Sequence, residues 1–291
     1  MIILSFYKLL ERVICVHSIT TYWWKYYLAS FFSILVIGIV ISSLNINIPY
    51  FFLIQIGLVF SLWYLISPII MILVFKMRRA PQDVTFMVED LSKKYNVKLS
   101  KVYIINDNFL NAFAFGNIIF RGIAVTSPLY ESLVQEELAA VLSHEIAHIK
   151  NYDPEVMLLT IFSINSIYAA LIYYLPLVSL FFLIIYFVIL LPSVFYVHRK
   201  IEKRADLTAV KVNPDITYWL ESSLIKIGYL SRSIPTNMLR YVPPIQIFLA
   251  KEFIVNHIVD EKSVLSFRTH PSLKERLLYL SQYEKQKMYY I

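Results

Sequence analysis

Two histidines and a glutamate have the types and the spacing of a metal-hydrolase site. His144 and His148 are four residues apart, so on a helix they lie on one face and can point at one ion. Glu145 follows the first histidine and would lie beside that ion rather than bind it. In this H-E-x-x-H arrangement the glutamate acts on a metal-held water of a zinc hydrolase. The same pattern also arises by chance on amphipathic helices, so a third metal ligand is needed to distinguish a metal site from a chance match.

A pair of acidic residues later in the chain offers that third ligand. Glu202 and Asp206 are also four apart and share one helical face. A carboxylate on the metal, and a second carboxylate that accepts a ring N–H from a ligand histidine, would complete a catalytic site with one open position. The alternative is a solvated charge run, because basic residues surround the pair.

The composition predicts that much of the chain lies in a lipid bilayer. Hydrophobic residues make up 58% of the 291 residues and charged residues only 16%, whereas soluble domains have about 45–50% and about 25%. The single cysteine, Cys15, excludes an intrachain disulfide framework and is typical of a reducing compartment. The net charge of +7 comes without a nucleic-acid-binding motif. We therefore attribute it to membrane topology and expect no nucleic-acid partner.

Four uncharged apolar runs are long enough to cross the hydrocarbon layer, which takes about 20 residues. They occupy residues 28–44, 50–75, 156–175 and 177–197. Buried helices of a soluble protein would be shorter and would carry polar positions. We therefore predict four transmembrane helices in two hairpins, with turns at 45–49 and at Pro176.

These spans divide the chain into five parts. The predicted boundaries are an interfacial amphipathic segment at 1–25, transmembrane hairpins at 26–75 and 156–197, and two parts of one catalytic domain at 76–155 and 198–291. Neither turn inside a hairpin contains Lys or Arg, whereas basic residues flank the other ends of the spans. By the positive-inside rule, both termini and the candidate site face the cytoplasm of a multi-pass cell-membrane protein.

The part at 76–155 is predicted to mix helix and strand. Residues 84–96 have helical periodicity, and 101–105 has strand character. Two further strands, 110–115 and 118–126, are joined by a turn at Gly116–Asn117. We expect a small antiparallel hairpin or three-stranded sheet before the H-E-x-x-H helix.

The order of these motifs resembles that of the HtpX-type membrane zinc metalloproteases of peptidase family M48. The matching elements are the segment Asn-Ala-Phe-Ala-Phe-Gly at 111–116, the H-E-x-x-H, two apolar spans, the E-x-x-x-D that begins at Glu202, and His270–Pro271 followed by Arg276. Each motif is ordinary, but the ordered set is specific and covers roughly residues 80–280. Two departures are Tyr152, where the family often has glycine after the histidine helix, and Leu207–Thr208, which replace small residues.

The resemblance implies a zinc metalloendopeptidase with a mainly α membrane fold: four transmembrane helices and a cytoplasmic α+β domain of the zincin type with a small antiparallel sheet. One Zn²⁺ per chain would be bound by His144, His148 and Glu202. Glu145 would take a proton from the attacking water and deliver it to the leaving amine. Asp206 would orient a ligand histidine. For His270 the resemblance hints at a role in stabilising the oxyanion or covering the metal; the alternative is a residue that starts a helix before Pro271.

The resemblance also implies how a substrate binds. Residues Asn111, Ala112, Phe113, Ala114 and Phe115 resemble the family's substrate-binding edge strand, to which an extended peptide adds by backbone pairing. Such pairing requires an unfolded polypeptide. The alternative is an ordinary hairpin strand whose phenylalanines pack inward.

The implied function is quality control of damaged or misassembled membrane proteins, with polypeptides and the lipid bilayer as partners. Two other functions stay open. A prenyl-dependent processing peptidase shares the motifs, although its usual form has more than four spans; a membrane scaffold with a vestigial site would have no activity. His17, His198 and His257 match no motif, and we expect them at the interface or the surface.

Overall fold

The structure is a computed structural model that describes residues 24–44, 51–258 and 270–288. The predicted turn at 45–49, His17 and nearly all of the predicted N-terminal amphipathic segment lie outside the described residues. The helices are α1 (Trp24–Ser42), α2 (Phe51–Val74), α3 (Gln82–Tyr95), α4 (Ser127–Ser132), α5 (Gln135–Lys150), α6 (Asp153–Tyr174), α7 (Ser179–Ile185), α8 (Leu191–Val212), α9 (Thr217–Gly228), α10 (Pro244–His257) and α11 (Leu273–Met288).

Four helical segments of the described chain are long and apolar enough to cross a membrane. They are Trp24–Ser42, Ile54–Val74, Asp153–Tyr174 and the continuous run Pro176–Val212, which contains α7, a π-helical turn and α8. This confirms the four predicted spans, and a turn begins at Pro176 as expected. Phe52 of α2 stacks on Tyr173 of α6 with 4.5 Å between ring centroids, so the two hairpins pack against each other.

The sheet differs from the prediction. It has four strands, β1 (Arg78–Arg79), β2 (Lys101–Ile105), β3 (Ala112–Gly116) and β4 (Arg121–Thr126), in the order β1-β2-β4-β3. β2 and β4 pair in parallel, while the other two pairs are antiparallel. The predicted small antiparallel sheet is therefore wrong: the sheet is mixed and has one more strand.

Burial explains this order. Five of the six residues of β4 are buried, so it takes the centre of the sheet, where both of its edges are paired. β3 has only two buried residues and lies at the edge. β1 is two residues long, which is too short for an alternating pattern to reveal.

Helix α5 is the centre of the fold outside the four apolar spans. Leu142, Ile146 and Ala147 are fully buried in a core formed with the sheet, α3, α8 and α9. At its first turn, Glu137 is buried and pairs with Lys226 of α9, whose Nζ lies 2.8 Å from Oε1. Chain segments before and after the second membrane hairpin thus pack around the same helix.

Candidate metal centre

Three predicted ligands converge between α5 and α8. Nε2 of His144 lies 3.1 Å from Nε2 of His148. The two carboxylate oxygens of Glu202 lie 3.6 Å from these nitrogens, Oε2 from that of His144 and Oε1 from that of His148. Glu202 and His144 are both buried. This group could hold a metal ion.

The distances fit a tetrahedral cation. Zinc binds nitrogen and oxygen ligands at about 2.0–2.1 Å, so two ligand atoms at a tetrahedral angle lie about 3.3–3.4 Å apart. The three separations of 3.1, 3.6 and 3.6 Å bracket this value. The donor set of two imidazoles and one carboxylate is also one that zinc uses in catalytic sites.

A buried network holds His144 from behind. Its Nδ1 lies 2.8 Å from Oδ1 of Asp206, which is fully buried. Arg276 of α11 donates to both oxygens of Asp206, from Nε at 2.8 Å and from Nη2 at 2.6 Å, and the hydroxyl of Tyr279 also donates to it. The contact at Nδ1 leaves the opposite ring nitrogen, Nε2, directed at the metal position.

His148 has its own carboxylate, which the sequence had not indicated as part of the site. Its Nδ1 lies 2.7 Å from Oδ2 of Asp153, the first residue of α6. Tyr152 makes the turn between α5 and α6 in the left-handed conformation, with φ of 57° and ψ of 38°. Arg204 of α8 pairs with the same aspartate. The only signal in the sequence is the dipeptide Asp153–Pro154, which favours the start of a helix and does not by itself indicate a contact with His148.

The charges around His144 favour a cation. Burial by itself lowers the pKa of this histidine, but the carboxylates of Asp206 and Glu202 raise it from its usual 6.5 to about 10. The same negative charges would stabilise a metal ion at the facing Nε2.

Glu145 connects the histidine helix to the sheet. It is buried, and its Oε2 accepts the backbone N–H of Ala114 at 2.8 Å. Ala114 is opposite Ile123 in the β3–β4 ladder, and its N–H points away from β4 toward α5. The free side of the strand therefore runs past the predicted general base.

The strand β3 combines an edge position in the sheet with phenylalanines that pack inward. Within the described residues it pairs with β4 alone, so it is an edge strand. The carbonyl of Asn111, just before it, accepts the backbone N–H of Thr126 at the end of β4, and the N–H of Asn111 donates to the Thr126 hydroxyl oxygen. Phe115 is buried, and Phe113 packs on it and on Phe75 at the end of α2. The aromatic rings thus face inward while the backbone edge faces the site.

Two further histidines approach Glu202 from the open side. Nδ1 of His270 lies 2.9 Å from Oε2 of Glu202, and 59% of its side chain is exposed. Nδ1 of His198 lies 3.9 Å from Oε1, one helical turn before Glu202. The sequence led us to expect His198 at the surface or the interface, and its position beside Glu202 was not predicted. His257 is exposed at the end of α10, as expected.

The model of peptidase family M48 matches residues 78–284. The chain belongs to this family. It is 28% identical over 273 residues to the Protease HtpX homolog of Picrophilus torridus, covering 82% of this chain and 87% of that relative. It is also 28% identical over 238 residues to Protease HtpX of Legionella pneumophila, covering 74% and 81%.

A solved structure shares the fold. The crystal structure of S. mikatae Ste24p matches with a TM-score of 0.60 at 20% identity, over 85% of this chain and 62% of that one. The family match and the HtpX relatives confirm the predicted resemblance to HtpX-type proteases. As an M48 peptidase with four apolar helices, the protein is a multi-pass membrane metalloprotease.

Proposed function

We propose that this M48 peptidase is a zinc-dependent endopeptidase that cleaves unfolded or misassembled membrane proteins at the cytoplasmic face of the cell membrane. The observation that carries the proposal is the convergence of His144, His148 and Glu202 at distances that suit one Zn²⁺ per chain. Zinc, when bound, lowers the pKa of a water toward about 7 and polarises the scissile carbonyl.

The chain's own residues supply the proton transfers and the alignment. Glu145, adjacent to a ligand histidine, takes the proton of the attacking water and delivers it to the leaving amine. The N–H of Ala114 holds its carboxylate at 2.8 Å and so fixes its direction. Asp206 and Asp153 keep the two imidazoles oriented with Nε2 forward.

The edge of β3 receives the substrate. An extended peptide that pairs with this strand lies along α5, where its carbonyl can reach both the metal and Glu145. A folded protein cannot offer a free strand, so the substrate is an unfolded segment.

His270 acts at the open side of the site. Its position 2.9 Å from Glu202, with most of the ring exposed, suits a residue that contacts the substrate oxyanion or covers the metal. The variant His270→Ala separates these roles: loss of an oxyanion contact lowers kcat by about 10²–10³-fold, whereas loss of a cover leaves kcat intact and speeds removal of zinc by a chelator.

The location of the site supports membrane proteins as substrates. Glu202 lies five residues beyond the apolar run that ends at Val197, so at 1.5 Å per residue it is within roughly 10 Å of the bilayer. Tyr26 of α1 contacts Phe75, just beyond α2, and Phe75 packs on Phe113 of β3, so the basic ends of the first hairpin lie on the side of the site. The positive-inside rule then assigns this side to the cytoplasm.

The test of this function uses purified protein and two variants. Wild-type protein is expected to contain one zinc per chain by elemental analysis and to cleave casein and an unfolded membrane protein, and a chelator should stop cleavage. Glu145→Gln should keep zinc and lose cleavage, whereas His144→Ala should lose both. Undiminished cleavage by Glu145→Gln would refute the mechanism. Preference for a prenylated peptide over the unfolded membrane protein would refute the substrate class.

A further inference from the structure

Residues 117–120 form the turn between β3 and β4, which we call the hairpin tip. The side chain of Asn117 organises this turn. Oδ1 of Asn117 accepts the backbone N–H groups of Ile119 and Phe120, each at 2.9 Å. Gly116 precedes it with φ of +141°, and a Cβ there would lie 2.1 Å from the carbonyl oxygen of Phe120. The backbone of the tip is therefore fixed.

The same asparagine ties the tip to the middle of a membrane span. Its Nδ2 donates to the carbonyl oxygens of Leu65 at 2.9 Å and Tyr64 at 3.3 Å, and the residue is buried. Pro68 is four residues after Tyr64 and has no N–H, so the Tyr64 carbonyl lacks its helical partner. An unpaired carbonyl is costly in hydrocarbon, and here the hydroxyl of Ser67 at 3.1 Å and Nδ2 of Asn117 supply donors in place of the missing N–H.

The neighbouring helices set the depth of this contact. Tyr64 lies ten residues before Val74 in the span Ile54–Val74, or about 15 Å along the helix from its end. The hydroxyl of Tyr64 also donates, at 2.8 Å, to Glu155, which is the third residue of α6 in the adjacent hairpin. The position of Tyr64 along α2 puts the tip at a depth within the hydrocarbon layer. The position of Glu155 at the start of α6 puts the tip at the boundary between hydrocarbon and water. Both measures place it at or below the membrane surface.

The outer side of the tip is apolar. Ile118 and Ile119 are 71% and 80% exposed, at positions where turns normally carry Gly, Asn, Asp or Ser. Phe120 points the other way and packs on Phe115 of β3, 5.9 Å between ring centroids. Two adjacent isoleucines are therefore exposed beside the apolar helix α2, on the side of the tip that faces away from the sheet.

We propose that the hairpin tip is a membrane anchor whose Ile118 and Ile119 insert among lipid acyl chains beside α2. The occupant of this surface is hydrocarbon, because the surface is attached to a membrane span and continues its apolar face. A consequence, which rests on the proposed function, is that the edge strand rises directly from the bilayer. Ala114 is three residues before the tip, about 10 Å at 3.3 Å per residue, so a segment leaving the membrane meets β3 first.

The test places a fluorophore on the tip of the full-length protein. Cys15 is the single cysteine, so Cys15→Ser gives a background for Ile119→Cys, labelled with bimane in proteoliposomes. Two references are Leu58→Cys, exposed in the first half of α2, and Glu89→Cys, exposed on α3. Ile118→Cys is a second probe of the same tip, used where the first variant does not fold.

The tip label is expected to behave like the one at position 58: blue-shifted, quenched by nitroxides on lipid acyl chains, and no longer quenched by aqueous iodide. Iodide quenching equal to that at position 89 would overturn the proposal, and so would protection from both quenchers, which would indicate a protein partner instead. The readout needs no proteolytic activity, so its failure is distinct from failure of the proposed function.

Discussion

The two histidines of the candidate metal centre are held by different regions of the molecule. Behind His144 is a closed network from the soluble part of the chain: Asp206 is fully buried, and the side chain of its partner Arg276 is only 12% exposed. Behind His148 is Asp153, which belongs to the first turn of a membrane span and pairs with an arginine, Arg204, that is 45% exposed. One imidazole is fixed by the protein core and the other by the start of the second membrane hairpin.

The two aspartates therefore differ in role, although each contacts one ligand histidine. Both aspartates place an imidazole with Nε2 toward the candidate metal position, so both should tune metal affinity. Only Asp206 also compensates a buried cation, so only Asp206 should be important for the stability of the fold. Asp153 instead links the geometry of the site to α6 and hence to the membrane.

The largest expected effect is that of Asp206→Asn. Asparagine keeps the volume but removes the carboxylate charge that pairs directly with Arg276, and loss of one partner of a buried ion pair costs about 3–5 kcal/mol. Zinc affinity should also fall by about 10–100-fold, as for other groups that orient metal ligands. Thermal unfolding followed by tryptophan fluorescence, with and without a chelator, measures the first effect, and competition with a zinc indicator measures the second.

The stability loss of Asp206→Asn should persist after zinc is removed, because it arises from Arg276 and not from the metal. A matched control is the double variant with Arg276→Met, which removes the buried cation as well and should recover part of the Tm without recovering zinc affinity. A Tm that equals wild type in the chelated protein would contradict the role assigned to this network.

Asp153→Asn should give the second largest effect, and mainly on the metal. We expect a similar 10–100-fold loss of zinc affinity, but a stability cost of only about 1 kcal/mol, because Arg204 can turn to solvent. Glu155→Gln is the matched control two residues away: it pairs with Arg121 and Tyr64 and does not touch a ligand histidine. Equal Tm losses for Asp153→Asn and Asp206→Asn would remove the distinction between the two regions.

The same distinction shows what the sequence could predict. Positions fixed by helical spacing were predictable, because i and i+4 share a face wherever the helix lies: His144 with His148, and Glu202 with Asp206. Asp153 was not, since its approach to His148 depends on a left-handed residue at Tyr152, which no periodicity reveals. His198 was missed for the opposite reason, as it was treated singly although it stands one turn before Glu202.

The sheet was harder to predict than the helices. The strand 101–105 was placed at its observed bounds, but strand order depends on which segment is buried most deeply in three dimensions. The central position of β4 separates β2 from β3 and makes the β2–β4 pair parallel. Local turn signals at Gly116–Asn117 predicted the hairpin and could not predict this insertion.

The smallest effect, and the sharpest test of the His148 side, concerns Tyr152. A non-glycine residue in the left-handed region is strained by about 1 kcal/mol, while Arg121 stacks over the Tyr152 ring at 4.5 Å, worth about 0.5–1 kcal/mol at an exposed site. Tyr152→Ala keeps the strain and loses the stacking, whereas Tyr152→Gly loses both. The glycine variant should therefore be the more stable of the two by about 1 kcal/mol, measured as a difference in Tm at constant zinc.

The comparison also tests how the turn serves the metal. Glycine suits the observed φ of 57° and should leave Asp153 in place, so zinc affinity in Tyr152→Gly should stay near that of wild type. An alanine variant more stable than the glycine variant would show that the left-handed turn is not a source of strain. A glycine variant that lost zinc would show instead that the tyrosine ring, through Arg121, helps to hold the start of α6 against His148.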